Sequence, residues 1–332
     1  MSVAPTSFPP SGSVAELRQV AVPGRRLAVH RSDPPGGAAA ATAPPVLLLH
    51  GVPQTSACWI PLIQELADDR VVLAVDLPGL GDSEVRGPYD VPSIVASLFA
   101  LLLAELSEPG NSGSNSDSTD DTNDTDDTDD TDDDVEPAPL QVDVVGHDWG
   151  GSIALALAAA RPGLVRRLVV ASGPYRKVDL VRAWHIPVLG FVPPVAFARS
   201  GRAIVRGMFR YAWKTGRAPE ATVASYADAY AAPERVRAMT EYYRAAVRRA
   251  SSKRTAEDGD GGPAARAERS LVIWGTDDPP MPLRVGEAVV SDLGRVNDPA
   301  TVRMVTLPGV GHWPFDEVPG VVVPLVGDFL RR

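Results

Sequence analysis

The chain has 332 residues, 44% of them apolar, enough to bury one large α/β core of roughly 250 to 300 residues with an inserted segment. Its net charge of −10 is local: twelve of the 42 acids fall between Asp117 and Glu136, and without them 30 acids face 32 basic residues, which excludes a nucleic-acid footprint. A single cysteine, Cys58, excludes an intrachain disulfide framework and a multi-cysteine metal site and suits a reducing cytoplasm, and no apolar run nears the roughly 18 residues of a membrane span.

Residues 1–13 carry no basic segment followed by an apolar one and read as a flexible start. Two β-like runs, 17–22 and 26–31, joined by Pro23-Gly24, predict an opening hairpin, and a Gly/Ala/Pro-rich linker follows. The runs 46–49 and 70–75 are apolar on both faces, as buried parallel strands are. Helical spacing over 91–106 gives way to Asn/Ser/Thr/Asp repeats at 109–139, which bury nothing and predict a disordered insertion. Its Asp-Thr spacing invites a calcium reading, but the glycine and terminal glutamate of an EF-hand loop are missing, so no metal is expected.

A strand at 141–145, a helix at 151–160 and a strand at 165–171 continue the alternation of a mostly parallel, doubly wound sheet. The stretch 176–250 is helical and rich in Arg, Tyr and Trp, and reads as a cap inserted between core strands. A polar linker, 251–269, leads back to strands at 271–274 and 302–307 and a closing helix at 321–330. The core is therefore expected at 14–175 and 270–332.

Between the strand 141–145 and its helix stands Gly146-His147-Asp148-Trp149-Gly150-Gly151. G-x-D-x-G in a strand, sharp turn and helix is the setting that exposes a nucleophile, because small neighbours let the backbone fold tightly around it. By itself the motif fits an ordinary helix cap equally well. The far end of the chain adds Asp277-Asp278 after one strand and Gly311-His312 after the next, giving the order nucleophile, acid, base.

Together with His50-Gly51-Val52-Pro53, the run Asp76 to Ser83 and Trp274-Gly275-Thr276-Asp277-Asp278, these motifs resemble the α/β-hydrolase superfamily. Within it they resemble the branch of epoxide hydrolases and haloalkane and fluoroacetate dehalogenases, whose nucleophile is an aspartate. The resemblance implies an α/β-hydrolase fold with a helical lid. It makes Asp148 the nucleophile, His312 the base that activates water, and Asp278, in preference to Asp277, its orienting acid. The backbone N–H groups of Val52 and Trp149 would form the oxyanion hole, with His50, Pro53, Trp184 and His185 against the substrate. Glu241-Tyr242-Tyr243-Arg244-Ala245 resembles the lid segment bearing a ring-opening tyrosine, placing that role on Tyr243 against an ordinary packing role.

An ionised aspartate needs no base to attack carbon, and the alkyl ester it forms is then hydrolysed by water. Epoxide opening is the leading expectation because an alkoxide needs a proton donor such as Tyr243. Hydrolytic dehalogenation, other ester or lactone hydrolysis and a non-catalytic binding protein are the alternatives. His185 in the lid resembles a fluoroacetate dehalogenase, but Trp149 and Val52 depart from that and from the haloalkane pattern. No cofactor is implied; the expected partner is a small-molecule substrate, with no nucleic acid or membrane, for a monomer or homodimer. Trp59, Trp149 and Trp184 line a pocket or simply fill the core, and Cys58 reads as a small buried hydrophobe.

Overall fold

The computed structural model describes residues 15–107, 140–173, 185–191, 195, 198–250 and 264–332. The expected flexible start, the acidic insertion 109–139, the first part of the cap with Trp184, and linker residues 251–263 lie outside the described residues. Among the described residues the core is one eight-stranded sheet. The opening hairpin is β1 (Glu16–Val22) with β2 (Arg25–Ser32), antiparallel, and β2 pairs antiparallel with β4 (Val72–Val75). From β4 onward each neighbouring pair is parallel: β3 (Val46–Leu49), β5 (Val142–His147), β6 (Val165–Ala171), β7 (Arg269–Gly275) and β8 (Val302–Leu307) complete the order β1-β2-β4-β3-β5-β6-β7-β8.

The apolar runs explain the middle of this order. All four residues of β3 and all four of β4 are buried, because helices cover both faces of a parallel sheet and leave no polar side for alternation. Helix α1 (Ile60–Leu66) follows β3, α2 (Val91–Leu106) precedes β5, α3 (Trp149–Ala160) precedes β6, and α2 packs on α3. Asp90 starts α2 by accepting the Ser93 N–H at 3.0 Å, with Pro92 in the first turn, where its missing N–H costs nothing. Between β6 and β7 lie α4 (His185–Phe191), α5 (Gly201–Ala212), α6 (Glu220–Ala229) and α7 (Pro233–Ala250); α8 (Leu283–Gly294), α9 (Pro314–Glu317) and α10 (Pro319–Arg331) complete the chain.

The chain leaves β3 for β4 on one side and returns to β5 on the other, so the sheet has its switch point at β3. In such sheets the crevice beyond the carboxyl ends of the strands is where ligands sit. Leu49 is in register with Gly146, so the loops after β3 and β5 start side by side.

At the opposite ends of these strands Asp143 is fully buried and gathers three arginines. It accepts from Arg70 Nη1 at 3.1 Å, from Arg166 Nη2 at 2.8 Å and Nε at 3.1 Å, and from the Arg167 N–H at 3.2 Å. Arg70 and Arg167 also donate to the Leu330 carbonyl, fastening α10 to the sheet. Replacing Asp143 with Ala should therefore cost about 3 kcal/mol in chemical denaturation, the low end for breaking a buried pair, since the buried Arg70 loses its fully buried partner and keeps only the part-exposed Asp69. A loss below about 1 kcal/mol would mean that water reaches these guanidinium groups.

Candidate active site

Strand β5 runs through His147 and α3 begins at Trp149, so Asp148 alone makes the turn. Its backbone sits at φ 49°, ψ −116°, a conformation most side chains avoid, and it holds because the surroundings leave no other path. A Cβ on Gly150 would lie 1.9 Å from the Leu49 carbonyl oxygen, and one on Gly146 would lie 2.3 Å from that of Gly150. Neither contact can relax, because each is with backbone, so G-x-D-x-G is a packing requirement of this turn.

Asp148 is 7% exposed and its carboxylate points into the crevice. Its Oδ2 accepts the Val52 N–H at 3.0 Å and its Oδ1 lies 3.5 Å from His312 Nε2. Burial alone would raise the Asp148 pKa. His312, through hydrogen bonding and charge, and the Val52 N–H outweigh this, so the pKa falls below the usual carboxylate value and the group is ionised. Trp149 opens α3, so its N–H lies outside the helical ladder at the same end of the helix.

His312 follows β8, and its Nδ1 meets Asp278 Oδ2 at 2.8 Å. Asp278 is buried, and its other oxygen accepts the Met281 N–H at 2.9 Å, which fixes the carboxylate. Asp277 instead accepts from Thr276 in an exposed position, so of the two acids only Asp278 touches the histidine. Burial pulls the His312 pKa down, but Asp278 and Asp148 more than offset it and lift it to about 10.

The backbone around His312 is tied from two directions. Its N–H donates to the Ala212 carbonyl at the end of α5, at 2.9 Å. Glu317 takes the N–H groups of Gly311 and Trp313 on either side, and also those of Lys214 and Thr215. His312 is thus held by the helical segment that covers it.

A cavity of about 640 Å³ opens above these groups. Asp148, His312, Val52 and Tyr243 line it together with apolar side chains, among them Leu189, Ile204 and Met208 from α4 and α5. Tyr243 is 2% exposed and stands edge-on to Trp149, with ring centroids 5.5 Å apart. Burial holds its pKa well above the usual tyrosine value, with Asp148 adding to the rise and Trp149 opposing it, so the hydroxyl keeps its proton.

Two expected substrate contacts do not reach the cavity. His50 is fully buried: its Nε2 accepts the Leu77 N–H at 3.0 Å and its Nδ1 faces the Gly51 carbonyl at 2.8 Å, so the ring holds the loop that presents Val52. Pro53 is buried beside it, after a cis peptide bond. His185 is the first residue of α4. Trp59, 0% exposed, packs on Phe315 in the core and Cys58 is buried next to it. Among the described residues no group of three or more His, Cys, Asp or Glu could hold a metal ion, and no helix is long and apolar enough to cross a membrane.

Residues 46–325 match the Alpha/beta hydrolase family. Epoxide hydrolase 3 of Mus musculus is 23% identical over 285 residues, 81% of this chain and 65% of that protein, so the chain spans just under two thirds of that relative's length. Among solved structures, epoxide hydrolase CorEH without ligand superposes with a TM-score of 0.70 at 20% identity, covering 96% of this chain and 99% of that one. A putative acyltransferase from Salmonella enterica superposes with a TM-score of 0.73 at 20% identity, covering 99% of both chains. Likeness of this kind establishes the fold and leaves the chemistry to the site.

Proposed function

The chain belongs to the Alpha/beta hydrolase family, and from that premise we propose that it opens epoxides to diols through a covalent ester on Asp148. One observation carries the reading: an ionised carboxylate occupies the elbow, and a protonated, buried tyrosine lines the same apolar cavity. Relatives named as epoxide hydrolases support it.

In the first half-reaction Asp148 Oδ1 attacks an epoxide carbon, the ring C–O bond breaks, and the alkoxide takes the Tyr243 proton. The other carboxylate oxygen, already bonded to the Val52 N–H, becomes the ester carbonyl. In the second, His312 removes a proton from water and the oxygen adds to the carboxyl carbon of Asp148. Charge then develops on Oδ2, where the Val52 and Trp149 N–H groups receive it. Collapse breaks the bond between that carbon and the ester oxygen, and the diol leaves with the proton held by His312. The carboxylic acid left on Asp148 ionises, and its proton restores the Tyr243 hydroxyl.

The timing of the base follows from charge. In the resting site His312 faces an anion and holds its proton. Esterification removes that anion, the histidine pKa falls, and the ring releases its proton to solvent, becoming a base only once there is an ester to hydrolyse; it takes a proton back from solvent when the Asp148 anion returns.

Helices α4 to α7 act, in this reading, as a lid that excludes water from the first step. The test is a panel of epoxides and alkyl halides scored for diol and halide together. Tyr243→Phe should lower epoxide turnover by about 10² to 10⁴ and leave halide release much less affected, because a halide departs without a proton. Equal losses would assign Tyr243 to packing, and halide release alone in the unaltered protein would replace the proposal with dehalogenation.

A further inference from the structure

Behind the site a second buried polar chain reaches His312 by its backbone. His147 Nε2 lies 2.7 Å from the His312 carbonyl oxygen, and His147 Nδ1 lies 2.7 Å from the Gln54 carboxamide. The other end of that carboxamide is 2.5 Å from Asp316 Oδ2, and Asp316 Oδ1 accepts the Tyr226 hydroxyl at 3.0 Å. Gln54 is 0% exposed, His147 1% and Tyr226 0%, so water does not complete the bonds among them; Asp316 is partly exposed and closes the network at its outer end.

Counting protons along this chain constrains it. The His312 carbonyl only accepts, so His147 Nε2 must carry hydrogen. If the Gln54 oxygen faces His147, Nδ1 must carry one too, and His147 is an imidazolium opposite an ionised Asp316. If the amide is turned, its NH₂ donates to Nδ1, and its oxygen meets Asp316 at 2.5 Å, which requires the hydrogen to be on the acid. The oxygen and nitrogen of a carboxamide are assigned by such a network rather than by shape. Either way the chain holds one proton more than a neutral imidazole and a carboxylate carry.

We propose that Asp316 is a positioning residue for His312: its carboxyl carries that proton and, through Gln54, fixes His147 as an Nε2–H donor to the His312 carbonyl. The surroundings favour this placement of the proton. Burial, with His312 and His50 nearby, drives the His147 pKa down to about 3, whereas burial, with Glu317 adding to it, pushes Asp316 up to about 6. Tyr226 and the Cys58 thiol, the other titratable groups facing Asp316, are both held neutral by their own burial.

A consequence is a pH-dependent tautomer. When Asp316 loses its proton, the carboxylate draws the Gln54 NH₂, the amide oxygen faces His147, and the ring proton moves from Nε2 to Nδ1. The lone pair on Nε2 then opposes the His312 carbonyl and the catalytic loop loses a tie. Its effect on turnover rests on His312 being the base for ester hydrolysis; the tautomer itself does not.

Nitrogen NMR of the histidine rings in the full-length chain therefore separates the two. Between pH 5 and pH 8, His147 should pass from Nε2–H with a bare Nδ1 to Nδ1–H, while Asp316→Asn, whose NH₂ mimics the acid, should keep Nε2–H throughout. An imidazolium at His147 at pH 5, or a tautomer that ignores pH in the unaltered chain, overturns the proposal without touching the reaction assigned above. For catalysis, ester release in the unaltered enzyme should fall about tenfold relative to Asp316→Asn over the same pH range, with KM moving little. A ratio that stays flat with pH removes the positioning role.

Discussion

Asp148→Asn should reduce turnover by about 10⁴-fold or more, because removing a nucleophile leaves only binding and the oxyanion donors to act. Asparagine keeps the shape of the side chain and an oxygen for the Val52 N–H, so the turn and its packing survive and the loss reports chemistry. The unaltered enzyme gives the complementary result. In ¹⁸O water the first turnover should release diol whose new oxygen is unlabelled, since that oxygen comes from the carboxylate. The label should then appear in the peptide containing Asp148. Label in the diol on the first turnover, with none in Asp148, would replace the ester by direct attack of water and leave the carboxylate as a base.

His312→Gln should separate the two halves of the reaction. Attack by Asp148 needs no base, so one equivalent of substrate should still be consumed and retained as an adduct of the chain, visible by intact mass. Release should slow by about 10² to 10⁴, the range a positioned base supplies. The variant also removes the positive charge beside Asp148, so the nucleophile should lose part of what lowers its pKa, and the adduct should form less readily as pH falls. Free turnover without adduct would take His312 out of its assigned place.

Much of this site could be read from the sequence because its parts are local. A glycine two residues either side of Asp148, an acid after β7 and a histidine after β8 are each visible within six residues. The strands were equally legible: the expectations 46–49 and 165–171 coincide with the buried β3 and β6 and 302–307 with β8, which is buried only at Leu307, and 91–106 coincides with α2, since period and apolar runs report regular structure directly. The elbow is tighter than expected, with β5 reaching His147 and α3 starting at Trp149, because contacts of Gly146 and Gly150 with backbone remove any intervening turn.

What was hidden is what depends on distant partners. His50 stands in the His50-Gly51-Val52-Pro53 motif, and the family resemblance of that motif suggested substrate contact. Its ring instead turns toward the Leu77 N–H, 27 residues away, and secures the loop. The pair Gln54 and Asp316 is separated by 262 residues, and neither lies in a pattern of its own. The apolar wall supplied by Ile204 and Met208 follows from the two-faced character of α5, but which face meets the cavity depends on how α5 packs with α6 and α7.

Glu317 gives the molecule a seam that matters to anyone wishing to redesign it. Four amides from two segments about a hundred residues apart converge on one carboxylate, and the loop bearing His312 hangs from the last carbonyl of α5. A cap cannot be exchanged for another at residue 212 as if it were a cover screwed onto a box. A graft that ends there cuts the supports of the histidine as well, so a chimera made to change substrate preference would surrender its hydrolytic step unless residues 212–215 and Glu317 travel with the cap as one part.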